Sequence, residues 1–130
     1  MDKYADFSVD TKAFPDLQGL TKRLHEQRQH IVVILDAGLS ADNVNNTYYQ
    51  MAQELDVLIK SSLYTGNNSA YNGSLVMKVW PNNTVFIDWL HPNASVVWHQ
   101  GLLDLYNKVP YDGLWIDMNE ATGFSDGELD

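Results

Sequence analysis

Two apolar stretches that each end in an aspartate decide the fold: Gly113-Leu114-Trp115-Ile116-Asp117 and the earlier Ile31-Val32-Val33-Ile34-Leu35-Asp36. Continuous apolar runs of this kind are typical of strands buried on both faces of a parallel sheet. A helical pattern precedes each run, one opening at Pro15 and the other at Pro92. The order helix, short loop, apolar strand and terminal aspartate therefore occurs twice, which predicts an α/β fold with a parallel sheet.

The helix that opens at Pro15 has a clear amphipathic pattern over about 14 residues. Its apolar side chains are Leu17, Leu20 and Leu24, and its polar side chains are Lys22, Arg23, Glu26 and Arg28. In the second helix, the side chains expected to face the core are Val96, Val97, Leu102 or Leu103, and Tyr106, and Pro110 helps to end it. Both patterns have the spacing of one buried face.

The segment between the two strands is too long for a simple crossover. Asp36 and Asp117 lie 81 positions apart, whereas a βαβ unit takes about 30 residues. Three short extended stretches are predicted in between, at Val57–Lys60, Leu75–Val79 and Val85–Asp88. We therefore expect residues of about 37–90 to form an inserted loop or small subdomain after the first strand.

Composition excludes several classes of function. The net charge is −9, from 17 acidic and 8 basic side chains, so the chain offers no basic patch for nucleic acid or an anionic membrane. It has no cysteine, which excludes disulfides and thiolate metal sites. No apolar run approaches the roughly 20 residues of a membrane span. The four histidines lack metal-ligand spacing with acidic partners, so no metal and no cofactor are expected.

Five Asn-x-Ser/Thr sequons indicate glycosylation, at Asn45, Asn67, Asn72, Asn82 and Asn93. Such a number within one short chain favours a parent protein of the secretory pathway, either lysosomal or extracellular. The N-terminal residues show no signal-peptide pattern, so we expect the signal peptide of the parent to lie outside this piece.

The strand-end aspartates are the candidate functional groups. Functional side chains of a (β/α)₈ barrel lie at the C-terminal ends of its strands, where Asp36 and Asp117 are predicted. On pattern alone, each could instead cap the next helix or end a strand at the surface. The neighbours of Asp117 favour function, because Trp115 offers an apolar face to a sugar ring and Glu120 could orient the aspartate. Carboxylates with aromatic walls suit glycoside chemistry.

The stretch Tyr111-Asp112-Gly113-Leu114-Trp115-Ile116-Asp117-Met118-Asn119-Glu120 resembles the nucleophile strand of glycoside hydrolase family 31. This family includes lysosomal acid α-glucosidase, maltase-glucoamylase, sucrase-isomaltase and glucosidase II. Further segments resemble the family in the same order: Asp6-Phe7 with Asp10 and Phe14-Pro15, then Ile31–Asp36, Lys78-Val79-Trp80-Pro81, and Phe86-Ile87-Asp88-Trp89 followed by His91-Pro92. The last of these matches the family's Phe-Pro-Asp-Phe. Resemblance thus covers nearly the whole chain.

The resemblance implies a fold and a set of site residues. Residues 1–130 would be part of the catalytic (β/α)₈ TIM barrel, at about strands 3 to 4. The resemblance makes Asp117 the nucleophile and Glu120 a residue that supports it. It makes Asp36 the ligand of the sugar 4-hydroxyl in the −1 subsite. Trp80 and Trp115 would line the pocket, and Met118 would close one side of it. Asp88 is expected to fix a loop by accepting hydrogen bonds, and Tyr48, Tyr49, Tyr64 and Tyr71 to be core or surface aromatics.

The resemblance also implies an activity, namely retaining hydrolysis of α-glucosides or maltooligosaccharides. That reaction needs a second carboxyl group as acid/base, which the family supplies from a later strand, past residue 130. The isolated chain should therefore be inactive. The alternative is a non-catalytic fragment that binds sugar or another protein. The chain departs from the family pattern at Ala37-Gly38, Asn82, Ile87 and Ala121-Thr122-Gly123, which leaves the preferred substrate size open.

Overall fold

The computed structural model describes residues 1–43, 45–65 and 70–129 of the chain. Its helices and strands follow in this order: α1 Leu17–Glu26, β1 Val32–Asp36, β2 Gly38–Ser40, α2 Thr47–Glu54, β3 Val76–Val79, β4 Asn82–Phe86, α3 Ala94–Lys108 and β5 Gly113–Asp117. The predicted order of helix, strand, helix and strand is confirmed by α1, β1, α3 and β5.

Helix α1 is shorter than predicted, with 10 residues. Asp16, rather than Pro15, marks its start, because the Asp16 carboxylate accepts a hydrogen bond of 3.0 Å from the backbone N–H of Gly19. Such a cap satisfies one of the free N–H groups of the first turn. The helix ends before Arg28, whose φ of 59° lies in the left-handed region. The polar residue Arg28 therefore lies outside the helix.

Strands β1 and β5 pair in parallel, and their register joins Val32 to Gly113 and Asp36 to Asp117. Side chains alternate between the two faces of a strand. One face carries Leu35, which belongs to the hydrophobic core. The other face carries Val32, which is 62% exposed, and Trp115, which is 60% exposed. The expectation of burial on both faces is therefore wrong for Val32 and Trp115. Within the described residues β1 and β5 form a sheet of two strands, and the second face is buried at Asp36 but open at these two side chains.

The residues between β1 and β5 form an antiparallel sheet in the order β2-β4-β3. The predicted stretch Leu75–Val79 contains β3, whereas Val85–Asp88 overlaps β4 only at Val85 and Phe86. The third stretch makes isolated bridges, Leu58 to Ile87 and Lys60 to Ser74. Strand β2 and helix α2 were not predicted. Side chains from this region, such as Val57 and Val85, share one core with Leu35. The boundaries of an inserted subdomain at about 37–90 stay a prediction.

Phe7 lies at the centre of the contact between the N-terminal segment and α3. Its ring makes edge-to-face contacts with Tyr48, at a centroid distance of 4.7 Å, and with Trp98, at 5.2 Å. Gly101 of α3 allows the ring to approach the helix backbone, since a Cβ at this position would lie 2.6 Å from three atoms of the ring. Within the described residues, none of the helices has the length and apolar character needed to cross a membrane.

Candidate active site

Asp36 and Asp117 lie side by side at the C-terminal ends of β1 and β5, where they are register partners. Because they are register partners, the two side chains point to the same face of the sheet at the same edge. Neighbouring strands are about 4.8 Å apart, so the two side chains lie close together. Asp36 is 8% exposed. Its pKa is raised, first by burial and then by the negative charge of Asp117. The prediction that both aspartates end neighbouring strands is confirmed, and neither of them caps a helix.

A cleft of about 250 Å³ opens at the two aspartates. Its lining residues are Met1, Tyr4, Ile34, Asp36, Trp80 and Asp117. The walls are largely apolar and include two carboxylates, which is the usual composition of a site for a small molecule. The structure thus brings together three of the residues predicted for the site, Asp36, Trp80 and Asp117.

Trp80 reaches the cleft from the tip of the hairpin formed by β3 and β4, where Val79 pairs with Asn82 across the turn. Asn82 adopts the left-handed region, with φ of 81°, and its side-chain amide donates a hydrogen bond of 2.9 Å to Asp42. That bond ties the hairpin tip to the loop after β2. At position 82, where the sequence departs from the family pattern, the chain thus has a residue that tolerates positive φ and adds a hydrogen bond.

An aromatic wall surrounds Trp80. Tyr4 stacks on its indole at a centroid distance of 5.8 Å, and Phe124 contacts it edge to face at 5.1 Å. Sequence reasoning missed Tyr4 and did not assign Phe124 to the site. The position of Phe124, seven residues after Asp117, could have pointed to it, whereas no local pattern connects Tyr4 with Trp80.

The other predicted site residues lie around the cleft rather than in its lining. Trp115 lies on the same strand face as Asp117 and pairs with Ile34. Met118 follows Asp117 with φ of 57°. Glu120 is exposed and accepts a hydrogen bond of 2.7 Å from the Thr122 hydroxyl, which lowers the Glu120 pKa. Its described partner is thus Thr122, and a supporting role towards Asp117 stays a prediction.

Asp6 is a buried carboxyl group behind Asp36 that the sequence had not marked as part of the site. Among the described residues neither of its carboxylate oxygens has a hydrogen-bond partner. Burial raises the pKa of Asp6 well above its usual value, and the charge of Asp36 raises it further. The positive charge of the N-terminus and then the backbone N–H of Asp36 act in the opposite direction and lower the pKa of Asp6. Burial thus favours a neutral Asp6 beside a pair of negative charges.

The remaining predicted residues lie outside the cleft. Asp88 accepts a hydrogen bond of 2.9 Å from the backbone N–H of Leu90, which confirms its role in fixing a loop. Tyr49 is buried in the core, and Tyr48 and Tyr71 pack against it. His25 and His30 both face Asp112, at 2.8 Å and 3.4 Å. In the part of the chain that the structure describes, no group of three His, Cys, Asp or Glu side chains could hold a metal ion.

Four of the five sequons fall within the described residues, and all four asparagines are exposed: Asn45, Asn72, Asn82 and Asn93. Asn93 precedes α3 without making a capping hydrogen bond through its side chain. Asn67 lies outside the described residues. Glycosylation at these positions stays a prediction.

Comparison with known proteins identifies a family whose model matches this chain. The model of the Glycosyl hydrolases family 31 TIM-barrel domain matches residues 1–130. An alpha-glucosidase of Mucor javanicus is 40% identical over 128 residues, which cover 95% of this chain and 14% of that protein. A probable alpha-glucosidase of Oryza sativa subsp. japonica is 38% identical over 130 residues, which cover 97% of this chain and 13% of that protein.

Solved structures that resemble this chain include a glucosidase as well. The crystal structure of the Tris-bound glucosidase II alpha subunit superposes with a TM-score of 0.76 at 26% sequence identity, over 95% of this chain and 13% of that one. A family 31 alpha-xylosidase from a soil metagenome, complexed with xylose, has a TM-score of 0.71 at 23% identity, over 95% of this chain and 16% of that one, which supports the fold alone. The chain thus spans about one seventh of the length of the curated relatives it matches.

Proposed function

This chain belongs to glycoside hydrolase family 31, and from this membership we propose that the protein containing it hydrolyses α-glucosidic bonds by a retaining, double-displacement mechanism. The observation that carries the proposal is the pair Asp36 and Asp117, side by side above apolar walls at the C-terminal edge of the parallel strands. In a TIM barrel this edge carries the active site. We expect the chain to correspond to about strands 3 to 4 of the barrel.

Asp117 is the proposed nucleophile. Its carboxylate attacks the anomeric carbon of the sugar, the bond to the leaving oxygen breaks, and a covalent glycosyl-enzyme forms that water then hydrolyses. Positive charge develops on the sugar in the transition state, and the ionised Asp117 next to it stabilises that charge. The acid/base that protonates the leaving oxygen is expected to come from a later strand of the same barrel.

Asp36 is proposed to accept a hydrogen bond from the 4-hydroxyl of the bound sugar. Burial and, after it, the negative charge of Asp117 raise the pKa of Asp36. The repulsion between the two carboxylates is released when Asp117 becomes an ester in the intermediate. Asp36 therefore binds the sugar with less electrostatic strain once the covalent bond has formed. Burial raises the pKa of Asp6 well above its usual value, which favours its neutral form near Asp36.

The apolar walls are proposed to bind the sugar ring. Trp80 and Trp115 offer aromatic faces, and Met118 closes one side of the pocket. The resulting substrate class is α-glucosides and maltooligosaccharides. From the five sequons, we also propose that the parent protein travels through the secretory pathway to a lysosomal or extracellular location.

The test is Asp117→Ala in the full-length parent, with p-nitrophenyl α-glucoside as substrate. We expect kcat to fall by at least about 10⁴-fold, the order of loss seen when a nucleophile is removed, while the melting temperature stays close to that of the parent. Added azide should restore turnover and give the β-glucosyl azide, since the small anion takes the place of the lost carboxylate. Asp126→Ala, which changes an exposed carboxylate, is the control.

Retained activity in Asp117→Ala would show that the nucleophile has been assigned wrongly. The purified 130-residue chain should hydrolyse neither maltose nor p-nitrophenyl α-glucoside. Turnover by this chain that depends on Asp117 would contradict the expectation that the acid/base lies elsewhere in the protein.

A further inference from the structure

The loop that follows Asp117 is held by an indole from a different part of the chain. Trp89 Nε1 donates a hydrogen bond of 2.8 Å to the backbone carbonyl of Asn119. We propose that Trp89 is a positioning residue, which fixes the backbone after β5 and thereby the direction of the Asp117 carboxylate. This inference rests on the proposed function, because it assigns a part in the same reaction. Trp89 is not among the described residues that line the cleft, and the role proposed for it is exerted through Asn119.

The loop needs such support because its backbone is unfavourable. Met118 and Ala121 have φ of 57° and 59°, in the left-handed region where a side chain crowds its own backbone. Residues other than glycine persist there only when their surroundings hold them. Two of the four residues that follow Asp117 are in this state, so an unrestrained loop would relax and turn the aspartate with it.

Within the described residues, few polar contacts restrain this loop. The side-chain Oδ1 of Asn119 is buried without a hydrogen-bond partner there, so this atom does not hold the loop in place. Farther along, the backbone N–H of Phe124 donates to the carbonyl of Lys78 over 2.8 Å. The loop is thus fastened at Asn119 by Trp89 and at Phe124 by β3, and the Trp89 bond is the one nearer to the nucleophile.

The Trp89 side chain is 40% exposed, and its ring packs against α3. Its ring contacts Trp98 of α3 edge to face, at a centroid distance of 5.1 Å and an interplanar angle of 85°. Trp98 in turn contacts the fully buried ring of Phe7. The backbone just before it is also held, since the N–H of Asp88 donates to the carbonyl of Val57 over 2.8 Å. A donor held by packed aromatic rings can fix the position of its acceptor.

The hydrogen bond also distinguishes this chain from the family pattern that it resembles. That pattern is Phe-Pro-Asp-Phe, and this chain has Phe86-Ile87-Asp88-Trp89. A phenyl ring has no N–H, so a phenylalanine at position 89 could fill the same place without making the bond. The natural test is therefore Trp89→Phe, which removes the donor and keeps an aromatic ring against Trp98.

The experiment compares Trp89→Phe with Trp98→Phe in the full-length parent. The second variant makes the same change of side chain in the partner ring, keeps an aromatic ring against Trp89 and leaves the Trp89 donor in place. With p-nitrophenyl α-glucoside, Trp89→Phe should lower kcat about five- to tenfold, the net worth of roughly one hydrogen bond, and change KM less than about twofold. Both variants should lower the melting temperature by similar amounts, because both shorten one ring of the same contact. Trp98→Phe should nevertheless leave kcat within about twofold of the parent value.

Hydrogen exchange of the backbone amides at residues 118–121 gives a readout that does not depend on activity. Exchange there should be faster in Trp89→Phe than in the parent and unchanged in Trp98→Phe. Unchanged exchange in Trp89→Phe, an equal loss of kcat in both variants, or an effect on KM alone would overturn the proposal. If the unsubstituted parent has no glycosidase activity, the proposed function fails, and the exchange rates still decide whether Trp89 restrains the loop.

Discussion

Replacing Asp36 by asparagine should stabilise the folded chain at neutral pH while impairing the proposed reaction. In the folded chain Asp36 is 8% exposed and lies next to Asp117 on the neighbouring strand. Its carboxylate loses hydration and meets a like charge, and both effects raise its pKa. Asparagine has nearly the same shape and no charge, so the substitution removes both penalties.

The size of the gain follows from the strand spacing. Two unit charges about 5 Å apart repel by roughly 3 kcal/mol at an effective dielectric constant of about 20, and by about 0.8 kcal/mol in water. The cleft is open to solvent, so the repulsion between Asp36 and Asp117 falls between these values. Burial of the carboxylate adds to the penalty, whereas the new amide must find its own hydrogen bonds. We expect Asp36→Asn to raise the free energy of unfolding by about 1–2 kcal/mol.

The gain should depend on pH in a defined direction. Because the pKa of Asp36 is raised in the folded chain, the folded state binds the proton more tightly than the unfolded state. The penalty is therefore absent below the unfolded pKa of about 3.9 and grows as the pH rises through the folded value. Urea unfolding followed by tryptophan fluorescence should show the full gain at pH 7 and almost none at pH 3.

The control is Asp126→Asn, which neutralises an exposed aspartate and should change the free energy of unfolding by less than about 0.5 kcal/mol. The reasoning is refuted if Asp36→Asn destabilises the chain at pH 7, or if it gives the same gain at both pH values. In the parent enzyme, the same variant should lower kcat/KM about 10- to 100-fold, because a charged acceptor for the sugar hydroxyl becomes neutral.

Two further predictions concern stability. Gly101→Ala should lower the melting temperature of the chain. A Cβ 2.6 Å from the buried Phe7 ring costs about 1–3 kcal/mol, which exceeds the roughly 1 kcal/mol that alanine adds to the stability of a helix. A higher melting temperature would contradict this packing. Asp112→Asn should lower the urea midpoint at pH 6. The backbone N–H of Ile31 and the His25 side chain lower the pKa of Asp112 to about 2. The difference in urea midpoint between the variant and the native chain should therefore shrink as the pH falls from 3.8 towards 2. A difference that does not change with pH would show that the charge of Asp112 is unimportant.

The parallel strands and their aspartates could be predicted because the signals lie within short segments. The apolar runs that became β1 and β5 are each five residues long, and a helix precedes each of them. Parallel strands joined by a helix place their C-terminal ends at one edge, so the juxtaposition of Asp36 and Asp117 follows from the order of elements alone. The approximate position of the site was therefore available from the sequence.

Helix α2 was missed because its own residues favour it only weakly. Tyrosine is a poor helix former compared with alanine or leucine, and the helix has two of them directly after its first residue, Thr47. It forms because Asn46 caps it, its side-chain oxygen accepting from the backbone N–H groups of Tyr48 and Tyr49. Burial of Tyr49 and Ala52 in the core then stabilises it. The last of these causes depends on distant parts of the chain, which local pattern cannot show.

Sequence reasoning missed Asp6 and Tyr4 for the same reason, namely that their contacts are with distant parts of the chain. Asp6 lies behind Asp36, and Tyr4 stacks on Trp80, across separations of 30 and 76 residues. Asp6-Phe7 carried a resemblance to the family, but nothing in it indicates that the carboxyl group is buried beside a second carboxylate. Such contacts arise only when the N-terminal segment packs against the strand ends.

The strand face that carries the two aspartates also exposes apolar side chains. Val32 and Trp115 expose most of their side chains on it, and Ile34 is 38% exposed. Burying one such apolar side chain is worth roughly 1.5–3 kcal/mol, so covering this face would stabilise the fold. Further barrel strands, which the proposed function requires, would cover it and also exclude water from the cleft. With less water, the repulsion between Asp36 and Asp117 grows, and so does the attraction of Asp117 for a positively charged transition state. Completing the barrel would therefore stabilise the sheet and strengthen the chemistry through the same change in environment.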